Sequence, residues 1–240
     1  VSSACLGTSM VSRALSAFRA NWAKLPAKDS TALVQHVKRP EPREMQPAER
    51  RQPLASHHAV GRLPGLKEPQ LLKGSDQRLW LLWLEQRPQE RGRTTALIRP
   101  FADCAAEALE LTPAPINLRS RVHDYGGGVL AAAMENGQLL MVWIAAGCLW
   151  QQRWHLPDGS GAAAAVRDPL RLTLPGEWDL ADGLLDLHRR RWLGIREMAG
   201  RDQLVQVSLD SGDQEPQLLH QPADFAGYAA LSADGEQLAW

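Results

Sequence analysis

The residues best able to do chemistry are concentrated in one short segment of the 240-residue chain, at 117–128. An arginine, a histidine, an aspartate and a tyrosine precede three consecutive glycines there: Arg121, His123, Asp124, Tyr125, Gly126, Gly127 and Gly128. Such side chains bind anions, move protons and donate hydrogen bonds. Three glycines in a row disfavour a strand interior and allow another group to approach the backbone closely. The segment is therefore a candidate ligand-binding loop.

Two interpretations of this segment are open. In the first, a loop at the mouth of the fold presents Arg121, His123 and Tyr125 to a ligand. In the second, the segment is a structural crossover, in which Arg121 pairs with Asp124 and Tyr125 packs. His123 and Asp124 form a proton relay in neither, because neighbours in an extended chain point to opposite faces.

Other catalytic and metal-binding patterns are absent from the sequence. No G-x-S-x-G nucleophile elbow in a strand–helix context occurs, and no strand–helix alternation exists to build a hydrolase sheet. Four histidines are evenly spaced, at His123, His155, His188 and His220, but none belongs to an H-x-x-x-H or H-E-x-x-H pair. The sequence therefore predicts no catalytic residue, no metal and no other cofactor.

Charge is unevenly distributed, although the chain has 27 basic and 27 acidic residues. Residues 1–53 contain nine Lys or Arg and four acids, which gives +5, so 54–240 carry −5. The stretch PEPREMQPAERRQP at 40–53 is rich in proline and charge, and it buries too little apolar surface to fold. We predict a disordered, basic, Pro-rich leader over 1–53, which is either a targeting peptide or an extension of no great consequence.

The composition also excludes several classes of protein. No apolar run approaches the roughly 20 residues of a membrane-spanning helix, and no secretory signal is present. The balanced charge gives no reason to expect a nucleic-acid partner. The three cysteines, Cys5, Cys104 and Cys148, are odd in number and far apart, so they predict neither a disulfide framework nor a zinc site. A reducing compartment is expected, and we predict a cytoplasmic protein without a membrane partner.

From residue 78 onward the sequence is a series of short apolar runs typical of β-strands. The predicted strands lie at 78–85, 93–100, 128–134, 138–146, 148–156, 171–174, 183–189, 191–197, 203–210 and 216–220. Turn signals that favour tight hairpins separate several of them. These turns are Glu135-Asn136-Gly137, Pro157-Asp158-Gly159, Asp210-Ser211-Gly212 and Ala233-Asp234-Gly235. The pattern predicts an all-β fold.

The strands also fall into groups of about four. Each group opens on an apolar strand, at Leu79, Val129, Leu184 and Leu238, with separations of 50, 55 and 54 residues. A four-stranded unit that recurs every 40–55 residues or so is typical of a β-propeller blade. A β-sandwich also has short strands and regular turns, but it lacks this longer repeat. We predict an incomplete propeller of about three to four blades over 54–240.

The segment RVHDYGGG (121–128), preceded by ELTPAP (110–115), resembles the N-terminal propeller of bacterial prolyl oligopeptidase-family serine peptidases. The relevant branch is dipeptidyl aminopeptidase-like or acylaminoacyl-peptidase-like. Further stretches that agree with this resemblance lie at 61–72, 82–100 and 231–240. The resemblance covers about 54–240. Asp124 stands where relatives usually have Glu, which keeps the carboxylate but shortens its reach.

The resemblance implies a two-part enzyme, in which the propeller limits access to a C-terminal α/β-hydrolase domain that cleaves short peptides. None of the catalytic Ser, Asp or His can be placed in this sequence, so the chain is expected to be truncated before that domain and inactive alone. The hydrolase domain is the expected packing partner. The substrate-binding residues expected in the intact enzyme are Arg121, His123, Asp124, Tyr125, Gly126, Gly127 and Gly128.

Two other functions are open. The first is a non-catalytic propeller that serves as an interaction scaffold, with Trp150, Trp154 and Trp192 available to a partner. Alternation along strands turns about half of such side chains inward, which favours the core for some of them. The second is a complete propeller enzyme, such as a lactonase or glycosidase, but the sequence shows no paired-carboxylate motif for it.

Overall fold

The computed structural model describes residues 63–103, 105–157 and 161–240. The predicted leader over 1–53 lies outside the described residues, as do Cys5 and Cys104. The predicted turn at Pro157-Asp158-Gly159 also falls largely outside them. No helix in the described ranges is long and apolar enough to cross a membrane.

Within the described residues, fifteen strands form four antiparallel sheets in chain order. Sheet I contains β1 (Gly65–Lys73), β2 (Leu79–Arg87), β3 (Arg93–Pro100) and β4 (Leu109–Glu110). Sheet II contains β5 (Leu130–Glu135), β6 (Gln138–Ala145), β7 (Cys148–His155), β8 (Ala164–Ala165) and β9 (Leu170–Arg171). Sheet III contains β10 (Asp179–Asp186), β11 (Arg191–Met198), β12 (Arg201–Ser208) and β13 (Gln217–His220), and sheet IV contains β14 (Ala230–Leu231) and β15 (Leu238–Ala239).

The fold is all-β, as the sequence predicts. The helical segments of the described chain are two 3-10 turns, at Pro88–Glu90 and Val122–Asp124. In each sheet the strands pair in the order in which they occur, except that β8 and β9 both pair with β7. None of the four sheets closes on itself.

Tight turns with positive φ join consecutive strands. Asn136 (φ 52°) and Gly137 (φ 75°) connect β5 to β6, as the Asn-Gly pair predicts. Ala146 (φ 51°) and Gly147 (φ 72°) connect β6 to β7 in the same conformation. Because alanine is unusual at such a position, the sequence shows the first turn more clearly than the second.

The apolar run QLLMVWIA of β6 lies in the core. Seven of its eight residues are buried, because side chains of sheets I and III join those of sheet II in one apolar cluster. A strand buried on both faces reads as a continuous apolar run. In β2, by contrast, burial alternates, and Trp80, Leu82 and Leu84 point into the cluster.

The first three sheets are neighbours through their first strands. β5 contacts β1 on one side and β10 on the other. Gln70 of β1 donates from Nε2 to the carbonyl oxygen of Leu130 in β5 at 3.1 Å. Arg190, in the turn after β10, donates to both carboxylate oxygens of Glu135 at 2.9 and 3.0 Å. Polar contacts at both ends of β5 therefore tie sheet II to its two neighbours.

The predicted grouping of strands is correct, but its starting points are wrong for two groups. Val129 and Leu184 mark first strands, β5 and β10, whereas Leu79 and Leu238 lie in second strands, β2 and β15. The true first strand of sheet I, β1, was not predicted, because its sequence GLKEPQLLK contains a proline and three charged residues. A proline is tolerated in β1 because the strand is irregular there, with a register shift between Lys67 and Gln70.

Gly183 of β10 is one of the glycines at which packing leaves no room for a side chain. A Cβ there would overlap the indole of Trp192, which is 1% exposed and closely packed. We expect Gly183→Ala to lower the free energy of unfolding by about 1–3 kcal/mol, measured by urea denaturation followed by circular dichroism. Gly65→Ala is the matched control, because its Cβ would lie 3.5 Å from Gln86, an ordinary contact. Equal losses in the two variants would contradict this packing.

Candidate functional site

The segment 117–130 connects sheet I to sheet II and also contacts sheet III. Its first part runs along the end of β6, where the backbone N–H of Arg119 donates to β6 at 3.0 Å. Burial alternates along this part, with Leu118 and Ser120 buried and Arg119 and Arg121 exposed. Alternate residues of such a segment share a side, so the two arginines face solvent together.

His123 is held between two carboxylates of sheet III. Its Nε2 lies 2.8 Å from Oδ1 of Asp202, and its Nδ1 lies 3.8 Å from Oε2 of Glu197. The same Glu197 oxygen accepts the backbone N–H of His123 at 2.6 Å. The Asp202 side chain is 2% exposed, and its other oxygen accepts the N–H of Ala226 at 2.8 Å. His123 therefore anchors the connection to sheet III.

Carboxylates of sheets I and III also accept hydrogen bonds from the backbone N–H groups at the end of the segment. Oδ1 of Asp182 accepts the N–H of Gly128 at 2.6 Å. Oε2 of Glu68 accepts the N–H of Val129 at 3.0 Å and that of Leu130 at 3.1 Å. Polar groups that leave water need such partners. Together with Glu197, these carboxylates satisfy four amides of one connection, and we call this set the amide clamp.

A similar backbone feature aims Glu68 and Asp182. Each lies at a register shift in the first strand of its sheet, and each has a positive φ, 48° and 53°. A β-bulge bends a strand locally and re-aims the side chain at that point. Both bulged strands therefore direct a carboxylate at the strand that lies between them, β5.

The glycines allow these carboxylates to come close. A Cβ at Gly127 would lie 2.8 Å from Cβ of Ala181 and 3.0 Å from Oδ1 of Asp182. Gly126 has a φ of 85°, and a Cβ there would lie 2.9 Å from the Ser120 carbonyl oxygen. The glycine run therefore serves close approach, as its composition indicates.

The structure divides the predicted site residues into two groups. His123, with the glycines, is engaged in contacts within the fold, which agrees with a structural crossover. Arg121, Asp124 and Tyr125 are exposed, and Tyr125 is 85% exposed. Among the ion pairs of the described residues, none joins Arg121 to Asp124. The segment thus combines residues that are engaged within the fold with residues that are exposed to solvent.

The residues that hold the segment were not predicted from the sequence. Glu68, Asp182, Glu197 and Asp202 lie far from it in the chain and form no motif. The signal that would have found Asp182 is an acid within an otherwise mostly apolar strand, DLADGLLD. Such residues stay inside only when they are hydrogen-bonded or paired.

A cleft of about 940 Å³ opens beside the arginines. Arg119 and Arg121 line it, whereas His123, Asp124 and Tyr125 do not. Its other lining residues come from the preceding loop, from the β6–β7 hairpin and from the segment that leads into β10. They are Pro115, Ile116, Asn117, Trp143, Ala145, Ala146, Gly147, Trp150, Pro169, Gly176, Glu177, Trp178 and Asp179.

No histidine of the described residues is hydrogen-bonded to a hydroxyl or thiol. Both ring nitrogens of His123 face carboxylates, so neither is directed at a hydroxyl or thiol. The described free cysteine, Cys148, is buried, and burial raises the pKa of its thiol, which favours the unreactive neutral form. No group of three His, Cys, Asp or Glu within the described ranges is placed to hold a metal ion.

Comparison with solved structures finds peptidases. A puromycin-hydrolysing peptidase of Mycobacterium tuberculosis matches with a TM-score of 0.60 and 25% identity, over 79% of this chain and 28% of that chain. A puromycin hydrolase mutant complexed with PGG matches with a TM-score of 0.61 and 25% identity, over 79% and 30%. Puromycin hydrolase matches with a TM-score of 0.58 and 26% identity, over 78% and 29%.

These comparisons indicate the class of protein. The chain is an all-β protein that is similar in fold and sequence to part of these peptidases, and it spans less than a third of their length. No protein-family model matches the chain, and no curated protein matches its sequence.

His123 and Asp202 should be energetically coupled. We expect the double variant His123→Ala/Asp202→Ala to lose about 0.5–3 kcal/mol less unfolding free energy than the two single variants added together, because their shared hydrogen bond is lost only once. Chemical denaturation of all four proteins measures this. His155→Ala is the control, because His155 is exposed and its contact with Gln138 is long, at 3.4 Å. Additive losses would contradict the contact between His123 and Asp202.

Glu68 should make stability depend on pH. Burial, with the nearby charge of Asp182, raises its pKa above the ordinary 4.5, against the lowering effect of the hydrogen bonds from Val129 and Leu130. The folded state then binds this proton more readily than the unfolded state, so ionisation of Glu68 lowers stability as pH rises from about 4.5 through its raised pKa.

The neutral variant Glu68→Gln removes this ionisation and keeps one acceptor oxygen. We therefore expect the stability of the variant relative to wild type to increase between about pH 4.5 and pH 7, measured as the difference in unfolding free energy. A difference that stays constant across that range would contradict the raised pKa of Glu68.

Proposed function

We propose that this chain is the propeller portion of a serine peptidase of the prolyl oligopeptidase family that cleaves short peptides. The observation that carries the proposal is the similarity to puromycin-hydrolysing peptidases over 79% of this chain. The catalytic α/β-hydrolase domain is its packing partner in this proposal. The propeller limits which substrates reach that domain.

The arrangement of the sheets supports a propeller. In a propeller, blades of four strands stand around a central channel, and the first strand of each blade lies innermost. Sheets I and III have four strands each in sequence order, and the first strands β1, β5 and β10 are adjacent. In this proposal sheets I, II and III are blades, and sheet IV supplies the first strands of another.

The connection over 117–130 has two tasks in this proposal. His123 and Gly126–Gly128 position it, since their contacts are with carboxylates and backbone of the fold. Arg121, Asp124 and Tyr125 are the residues exposed to a peptide. An arginine binds a carboxylate or a peptide carbonyl through two parallel hydrogen bonds.

The scaffold hypothesis loses most of its support in the structure. Trp154 and Trp192 are 4% and 1% exposed and belong to the core, so they are not available to a partner protein. Trp150 is half-buried and lines the cleft. Two of the three tryptophans that motivated a scaffold therefore belong to the core.

The protein expressed from its own gene tests the proposal. A fluorophosphonate probe, which labels activated serines, should label the product, and the product should hydrolyse short peptide p-nitroanilides but not a stably folded protein. Absence of both labelling and hydrolysis, in a product shown to be folded by circular dichroism, would overturn the proposal. A stable stoichiometric partner recovered from such an inactive product would favour the scaffold.

Arg121→Met in the same product tests the role of Arg121. We expect kcat/KM for short peptides to fall about 10- to 100-fold, because a charge-assisted hydrogen bond contributes roughly 1.5–3 kcal/mol. The free energy of unfolding should not change, since Arg121 is exposed. Arg201→Met is the control, because Arg201 is also exposed but does not line the cleft. An unchanged kcat/KM in Arg121→Met would exclude the binding role.

A further inference from the structure

The cleft beside Arg119 and Arg121 has a distribution of charge of which the proposed function uses only Arg121. Neither arginine has an ion-pair partner among the described residues, and the same holds for Glu177 and Asp179, which also line the cleft. The two pairs lie on different segments, one before β5 and one before and at the start of β10. The lining of one cavity thus includes two cations from one segment and two carboxylates from another.

Each pair of like charges is unfavourable without a counter-charge. Arg119 and Arg121 are two residues apart, so their side chains leave the chain on the same side. Asp179 stands directly opposite Glu197 in the β10–β11 pairing, and like charges across strands are destabilising. A ligand with an anionic end at the arginines and a cationic end at the acids would relieve both.

Three tryptophans, Trp143, Trp150 and Trp178, also line the cleft. Trp143 and Trp150 are cross-strand partners in β6 and β7, and Trp143 is almost fully buried. The Trp150 ring is fixed by a hydrogen bond from its Nε1 to the Ala145 carbonyl oxygen at 3.2 Å. Fixed indole rings bind apolar side chains with little loss of conformational entropy.

Trp178 completes the cleft from the side of sheet III. The guanidinium carbon of Arg196 lies 5.7 Å from the centre of its ring, and Arg196 is itself 5% exposed and bonded to Gln203. Gly176 packs against the same ring so closely that any Cβ at that position would overlap it. Both contacts hold the indole at the edge of the cleft.

We propose that this cleft binds a short peptide with both termini free, its carboxylate at Arg119 and Arg121 and its ammonium at Glu177 and Asp179. The inference rests on the proposed function only in taking peptides as the ligand class. A volume of about 940 Å³ is near the upper end of the roughly 300–1,000 Å³ typical of small-ligand sites, which suits a peptide of a few residues. Such a ligand is a product of peptide hydrolysis.

Isothermal titration of the full chain with Ala-Ala-Phe, and with its C-terminal amide and N-acetyl forms, tests the cleft. We expect the amide and the acetylated peptide each to bind about 10- to 100-fold more weakly than the free tripeptide. Tryptophan fluorescence should change on binding of the free tripeptide. Equal affinity for the three peptides would overturn the proposal, and so would no binding to the folded chain at millimolar concentration.

Two variants identify which end binds where. Arg119→Met should bind the free tripeptide as weakly as wild type binds the amide, while its affinity for the amide stays the same. Glu177→Gln should lose the preference for a free amino group and keep the preference for a free carboxylate. Arg201→Met, outside the cleft, should behave as wild type, and variants that retain both preferences would overturn the assignment.

The cleft proposal and the proposed function can fail independently of each other. Peptide hydrolysis by the gene product without end-selective binding by the chain would overturn the cleft proposal alone. End-selective binding without fluorophosphonate labelling or hydrolysis would overturn the peptidase proposal and support the cleft.

Discussion

The structure depends on the capture of backbone amides by carboxylates from neighbouring sheets. The connection over 117–130 leaves regular pairing near β6 and regains it in β5, so several of its N–H groups would lack partners. Glu68, Asp182 and Glu197 supply the acceptors. Because an unpaired buried amide costs about 1–3 kcal/mol, four captured amides represent a large share of the stability of a typical domain.

The same hydrogen bonds also hold the connection over 117–130 against the sheets on either side of it. A carboxylate of sheet I and two of sheet III bind one connection, so the three sheets meet at a common place without a continuous ladder of hydrogen bonds. The bulges at Glu68 and Asp182 interrupt the regular strand pairing and turn these side chains toward the connection. With the backbone held in this way, Arg121 and Tyr125 face solvent. These residues stay available for binding because the contacts of His123 and the glycines with the fold hold the backbone in place.

The sequence predicts the strands well and the site only in part. Continuous apolar runs such as β6, and the turn at Asn136 and Gly137, identify sheet II directly, because both signals are local. Strand β1 is not recognised from the sequence, because a bulge and Pro69 interrupt its alternation of apolar and polar residues. The glycine run indicates a close approach, but the sequence cannot name Asp182 as the group that approaches. That pairing joins residues 54 positions apart and is created by the packing of the sheets.

Amide hydrogen exchange tests the central claim about the amide clamp most directly. Gly128 and Val129 lie outside regular strands, yet their amides are bonded to carboxylates, whereas the neighbouring amide of Gly127 has no acceptor among the described residues. We expect the amides of Gly128 and Val129 to exchange at least about 100-fold more slowly than that of Gly127. Exchange of all three amides at the same rate would contradict it.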